Sequence, residues 1–247
     1  MRKPPFVVWV ASFVLAVAVK AQSVVEVTAG LATTWLVGNN PARTAIIVRD
    51  TAQSSLGSGF SGVQPGISLT LLHPFAADWR VGVGVEQTYF EGLQRFRLRV
   101  IDVYLRYTQM VTSVAGFLEW MPIRFPLARG YGFISVEPRW TIVSRGRYTY
   151  EQVDTRQGRV VDRLDTLIHK PPEPVYRFGL FGRIGIGGEL EGAWHFRANV
   201  GIGVLNLLGR RPERGELLTP VNFGERTESY AVAIVSALLL QYHLRVP

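Results

Sequence analysis

The chain has 247 residues, 47% hydrophobic and 19% charged, with 25 Gly, 14 Pro and no Cys, and its mean hydropathy is +0.15. That is one domain's length of chain, too apolar for a disordered protein and without the cysteines of a disulfide scaffold or a thiolate metal centre. The formal charge is +8, and Lys3, Lys20 and Lys170 are the only lysines. Arginine carries the rest, and it suits fixed ion pairs better than diffuse solvated charge.

In chain order, Arg2 and Lys3 precede an apolar run from Phe6 to Val19 broken only by Ser12, and Val19-Lys20-Ala21 offers a cleavage site. The run is shorter than the roughly 20 apolar residues of a spanning helix. Residues 1–21 are therefore expected to be a cleaved signal peptide, leaving 22–247 as one exported unit. With no Cys after the apolar run, a lipoprotein anchor is excluded.

From there on the dominant period is two. In 23–37 the row Val25, Val27, Ala29, Leu31, Trp35 alternates with Glu26, Thr28, Gly30. In 66–72, Ile67, Leu69, Leu71 alternate with Ser68, Thr70; in 79–88, Trp79, Val81, Val83, Val85 alternate with Arg80, Gly82, Gly84, Glu86. The segments starting at Tyr176, Trp194 and Tyr230 repeat the pattern, each with a bulky apolar row and a small or polar one. Such alternation is the signature of a half-buried strand. Each segment is near the 9 to 11 or so residues of a tilted strand that crosses a bilayer.

Connection lengths then set the topology. The links 73–78, 126–130 and 189–192 are short, whereas 38–62, 147–174 and 206–227 are long. Outer-membrane barrels join strands by short periplasmic turns and long external loops, and this spacing puts all short links on one side with both chain ends. The region 89–126 is ambiguous: 97–107 and 114–125 both alternate, and counting both as spanning gives an odd total. The expectation is that Phe117 to Phe125 is the fourth spanning strand, with a bulge at Pro122 turning Glu119 and Arg124 inward, and that 89–116 is a second long loop with strand structure above the membrane. The fold class is all-β: a transmembrane antiparallel up-and-down β-barrel of eight strands, with ten as the alternative.

On these features the sequence resembles the small outer-membrane barrels, the OmpX-like and PorT-like "outer membrane protein beta-barrel" group. The resemblance covers the mature chain: GLATTWLVG in the first strand, FLEWMPIRF with its Glu-x-x-Pro, short turns, and a last strand reaching the C-terminus. It departs from the usual pattern by ending Leu-Arg-Val-Pro instead of on an aromatic residue. It implies an integral outer-membrane protein and no single activity.

Charges on the small or polar rows mark the candidate interior: Glu86, Glu119, Glu137, Arg139, Arg177, Arg183 and Arg197. An eight-stranded barrel is just wide enough for side chains to fill, so these are expected to pair in a network that plugs the lumen. An ion or substrate path is the alternative. The pairs Gly185/Gly187 and Gly201/Gly203 complete no dinucleotide motif and are expected to make space beside interior arginines. His73, His169, His195 and His243 show no metal spacing, and no Ser and carboxylate can be assigned to a histidine-based hydrolase. No catalytic residue, cofactor, metal or nucleic-acid partner is expected.

Aromatics at strand ends, Trp35, Tyr176 and Tyr230 at outer ends and Trp79, Trp194 and Tyr242 at inner ends, suit two interfacial girdles against membrane lipid. A soluble lipocalin-type barrel, the competing reading, would turn the bulky row inward. Arginine at Ile234 on the bulky row is expected to cost about 2 to 4 kcal/mol near the midplane, and arginine at Gln241 far less. Loop 147–174 alternates on both sides of TRQG and reads as a projecting hairpin. Together with 89–116 it is the candidate surface for another envelope protein.

Overall fold

A computed structural model describes residues 24–38, 60, 62–126, 129–168, 176–208 and 229–245. The predicted signal peptide and His169 lie outside them. Alternation becomes strand throughout: β1 (Val24–Val37), β2 (Val63–Ala76), β3 (Trp79–Leu98), β4 (Ile101–Arg124), β5 (Tyr131–Asp154), β6 (Arg159–Ile168), β7 (Tyr176–Glu191), β8 (Trp194–Leu208) and β9 (Ser229–Arg245). All pairings are antiparallel. β1, β2, β3, β4, β5, β7, β8 and β9 form a ring closed by β1 against β9, from Val24↔Arg245 to Val37↔Val232. Among the described residues β6 pairs only with the far half of β5, from Gly146↔Ile168 to Asp154↔Arg159.

The tight turns at Ala77–Asp78 and Gly192–Ala193 lie on the same end of the barrel as the start of β1 and the end of β9. Gly192 has φ +58, which a side chain would strain.

Two expectations about 89–126 are corrected. First, the strand structure expected in 89–116 is present, but as the continuation of the ring strands β3 and β4 and not as a separate loop. β3 and β4 run 20 and 24 residues, in continuous register from Trp79↔Trp120 to Leu98↔Ile101. The segment 97–107 is not one strand either, because the chain reverses at Arg99–Val100 inside it. That turn contains no Gly, Pro, Asn or Asp and puts Arg99 at φ +54, so alternation runs across it unbroken in the sequence. Second, the register of β4 on β5 does shift between Trp120 and Ile123, bracketing Pro122, and Leu118, Trp120, Ile123 and Phe125 are exposed. Glu119 is buried, but Arg124 is not turned inward with it: its guanidinium lies at the rim, donating to the Ala77 carbonyl and, at 2.9 Å, to Asp78. Past the bulge the strand has reached the mouth, where an arginine finds acceptors in the neighbouring turn.

The bulky row faces outward around the ring: Leu31 on β1, Ile67 on β2, Ile184 on β7, Ile202 on β8 and Leu238 on β9 are each more than half exposed. At the end with the tight turns Trp79 stacks on Trp120 with centroids 6.0 Å apart, and Trp194 packs on Tyr242 at 4.8 Å. Inward positions are buried and mixed, with Thr28, Thr70, Glu86, Ser113, Glu119, Arg139 and Arg197 beside Ala231, Ala233 and Val235. A soluble barrel with an apolar lumen would have the reverse distribution.

Leu238 is more than half exposed on the outward row of β9, between Tyr242 and Tyr230. Leu238→Arg is expected to destabilise the barrel by about 2 to 4 kcal/mol, measured by reversible urea unfolding in lipid vesicles, while Leu238→Val changes it little.

Candidate functional site

The lumen is filled in three layers. Nearest the tight turns is a chain of four ionic side chains from four strands. Arg80 lies 3.0 Å from both Glu26 and Glu119, and Glu119 also pairs with Arg197. Above it is a closed ring of four. Arg139 holds Glu86 through two hydrogen bonds, 2.9 and 3.1 Å, and Glu137 at 3.0 Å; Arg183 holds Glu86 at 2.8 Å and Glu137 at 3.0 Å. Arg183 also donates to Asn199 at 3.0 Å. Both sets combine two acids with two bases, so each is formally neutral. This arrangement lets charges reside in a low-dielectric interior, where an unpaired ion costs several kcal/mol.

Three of the arginines lie over aromatic rings: Arg80 over Tyr131 at 4.5 Å, Arg197 over Phe133 at 4.3 Å and Arg139 over Phe181 at 4.3 Å. Behind each ring is a glycine. A Cβ at Gly187 would overlap the Tyr131 ring, one at Gly185 the Phe133 ring, and one at Gly203 the Phe181 ring. The interior is therefore layered glycine, aromatic ring, guanidinium: the missing side chain admits the ring, and the ring face receives the cation. Of the four glycines expected to make space for arginines, Gly201 does so directly, its space being taken by the Arg183 stem. The other three act through an aromatic.

The third layer closes the far end. Phe60, buried completely, packs on Phe90 and Tyr107 with centroids 5.5 and 5.4 Å away, within an apolar cluster that includes Leu36, Val111, Phe181, Leu205 and Ala231. Beyond it the sheet continues as a four-stranded blade made of the far halves of β3, β4 and β5 together with β6. The register of β2 on β3 ends at Gly66↔Thr88 and that of β7 on β5 at Tyr176↔Ile142. Gln64 finishes the β2 ladder with its side chain, accepting from the Glu91 amide at 2.8 Å and donating to its carbonyl at 3.4 Å. On the blade, Arg95 pairs with Asp102 and Arg106 with Glu91, each at 2.6 Å, with both arginine side chains more than half exposed. Burial first, and then the Asp162 carboxylate, raise the pKa of the blade's Tyr150 phenol.

Of the predicted interior charges, Glu86, Glu119, Glu137, Arg139, Arg183 and Arg197 are brought together in the two sets. Arg177 lies at the outer end of β7, opposite Thr141, and belongs to neither. Glu26 and Arg80 complete the lower set and were missed as site residues, although the polar rows of their strands already contained them. Without Arg80, Glu119 and Arg197 would read as a complete pair. Gln241 is fully buried, accepts from Tyr131 at 3.1 Å and lies 2.6 Å from His243. Gln241 also hydrogen-bonds Glu26, so an arginine there would enter the lower set of charges. His195 and His243 stack face to face, 3.9 Å between centroids. Trp35, Trp79, Trp194 and Tyr242 are exposed; Tyr176 and Tyr230 lie at the outer ends of β7 and β9.

No protein-family model and no curated protein matches the chain. Among solved structures it is similar to Ail, the attachment invasion locus protein of Yersinia pestis, at 10% identity and TM-score 0.33, over 91% of this chain and 100% of that one. It is also similar to Neisserial surface protein A, at 8% identity and TM-score 0.40, over 92% and 98%. With scores of this size the likeness adds nothing to the barrel that the strand pairings already establish.

Glu86→Ala leaves Arg139 and Arg183 sharing one carboxylate in the interior and is expected to cost about 3 to 5 kcal/mol. Glu189→Ala, which breaks the pair with the largely exposed Arg129 at the rim, is expected to cost no more than about 1 kcal/mol. Urea midpoints of the two variants in vesicles make the comparison.

Proposed function

We propose that the chain is an integral outer-membrane barrel with no catalytic role, sealed through its lumen, that works as a structural or partner-binding element of the cell envelope through the blade and loops at its outer end. The observation that carries this reading is the division of side chains: a continuous apolar row faces outward on strands around the ring, while paired ions, aromatic rings and an apolar plug fill the inside. An apolar surface of that extent is costly in water and matched to lipid. Trp35, Tyr176 and Tyr230 at one level and Trp79, Trp194 and Tyr242 at the other then serve as the two aromatic girdles.

A lumen filled in this way gives a solute no continuous aqueous path, which argues against a channel. His195 and His243 are stacked on each other, an arrangement that suits packing within the polar interior. Among the described residues of 89–116 and 147–163, exposed side chains belong largely to the blade, a hydrogen-bonded support for a protein partner.

The mature protein is expected to fractionate with the outer membrane and to migrate faster on a gel when unheated; recovery in the soluble periplasm defeats the proposal. Planar bilayers containing it should show no steady conductance, and open steps of fixed size would make it a channel. Replacing 151–166 by a tight turn should preserve heat-modifiable migration, because β6 belongs to no part of the ring, while removing capture of the partner by the intact barrel. Lipid hydrolysis abolished by His195→Ala would make it an enzyme.

A further inference from the structure

At the turn end of the lumen two histidines from neighbouring strands are stacked, His195 on β8 and His243 on β9, with their planes 14° apart. The turn between β7 and β8 holds both: the Ala193 carbonyl accepts from the His243 amide at 3.0 Å and lies 3.4 Å from His195 Nδ1. Gln241 fixes the protonation state of the second ring. Its Oε1 accepts from the Tyr131 hydroxyl, so the group 2.6 Å from His243 Nε2 is its amide nitrogen, which only donates. His243 Nε2 is therefore an acceptor, and the ring is neutral with its proton on Nδ1. Glu26 Oε1 lies 3.6 Å from the same nitrogen. One imidazole nitrogen thus faces a donor it can use when neutral and a carboxylate it can use only when charged.

We propose that this stack is a proton-operated latch on the lower set of ions: a proton on His243 Nε2 displaces the Gln241 donor, sets the ring in competition with Arg80 for Glu26, and drives it off His195, so that acid unfastens the turn end of the barrel. Among the described side chains, the charged and titratable groups around the stack are Glu26 from β1, Arg80 from β3, Glu119 from β4, Tyr131 from β5, Glu189 from β7 and Arg197 from β8. The three carboxylates are already engaged, Glu26 and Glu119 by Arg80 and Arg197, and Glu189 by Arg129. A proton on either ring therefore adds a charge to a balanced set, and protons on both place two cations 3.9 Å apart. The unfolded chain takes the same protons without that cost, so stability falls as pH drops through the ordinary imidazole range, near about 6.5. The upper set and the cluster around Phe60 include no histidine among the described residues, so the far end of the lumen stays closed while the latch opens.

The test is reversible urea unfolding of the mature chain in zwitterionic vesicles, from about pH 7.5 down to about pH 4.5. The wild type and H73Q/H169Q, in which the stacked pair are the only imidazoles left, are expected to lose about 1 M in midpoint over that range. H195F/H243F keeps two stacked rings without a titrating nitrogen and is expected to lose less than half as much, the remainder coming from carboxylates. Proton–nitrogen correlation spectra of the detergent-folded wild type are expected to show His243 with its proton on Nδ1 at the neutral end and with both nitrogens protonated at the acid end, a signature that a merely packed pair of rings does not give. An undiminished acid loss in H195F/H243F, no acid loss in H73Q/H169Q, or a neutral His243 with its proton on Nε2 overturns the proposal. If the double phenylalanine variant does not show heat-modifiable migration, H243F alone carries the unfolding comparison, and the spectra of the wild type decide the tautomer in either case.

Discussion

Everything in this barrel follows from closing eight strands on themselves. Closure pairs the backbone groups of β1 with those of β9 and leaves the ring no free edge, which makes a β-structure tolerable in a medium without water. It also fixes the bore. Eight strands enclose a space that side chains just fill, so each inward residue must find a neighbour of complementary size and charge. The two neutral sets of ions answer that requirement for charge, and the glycines opposite Tyr131, Phe133 and Phe181 answer it for volume.

The stacking of glycine, ring and guanidinium explains why interior charges are not merely tolerated. The desolvation of a lone Arg–Glu pair in this space would rival its Coulomb gain. With each acid of the upper set bound by two arginines, and Arg139 lying against the Phe181 ring, the positive charge is dispersed over carboxylates and a π face at once. Truncating any one member strands the others, so the sets behave as units, and their energies should not add.

How much of this was legible in the sequence depended on the kind of signal. Period two exposed the ring strands, because a closed sheet with lipid outside and polar groups inside imposes alternation on every one of them, and short against long links gave their direction. The inward Glu and Arg residues were readable as a class from their rows. Which acid meets which base was not, because partners such as Arg183 and Glu86 are brought together by curvature across the bore rather than by adjacency. The turn at Arg99–Val100 was invisible for a simpler reason: hairpin reversals are recognised by Gly, Asn or Asp at positive φ, and here an arginine takes that conformation. The same omission hid that β3 and β4 themselves run on into the blade, since Phe90, Tyr107 and Val111 keep the inward alternation going, whereas the projecting hairpin of β5 and β6 was legible from the alternation on both sides of TRQG.

The blade shows how one sheet serves two solvents. The pairing of β3 with β4 runs on past the last residues of β2 and β7 in one register, while that of β4 with β5 shifts between Gln109 and Val111 and then continues to Ile101↔Asp154. Only the side chains register the change of surroundings, valine and leucine giving way to arginine and tyrosine on the same outward row. Ring and blade therefore share β3, β4 and β5, with a chemical boundary drawn across them. Because the plug of Phe60, Phe90 and Tyr107 lies at that boundary on the inner side, the lumen is shut at the height where the outer face becomes polar. Among the described residues, packed rings thus fill the bore at the height where the outward row of β3 and β4 turns from aliphatic residues to arginine and tyrosine.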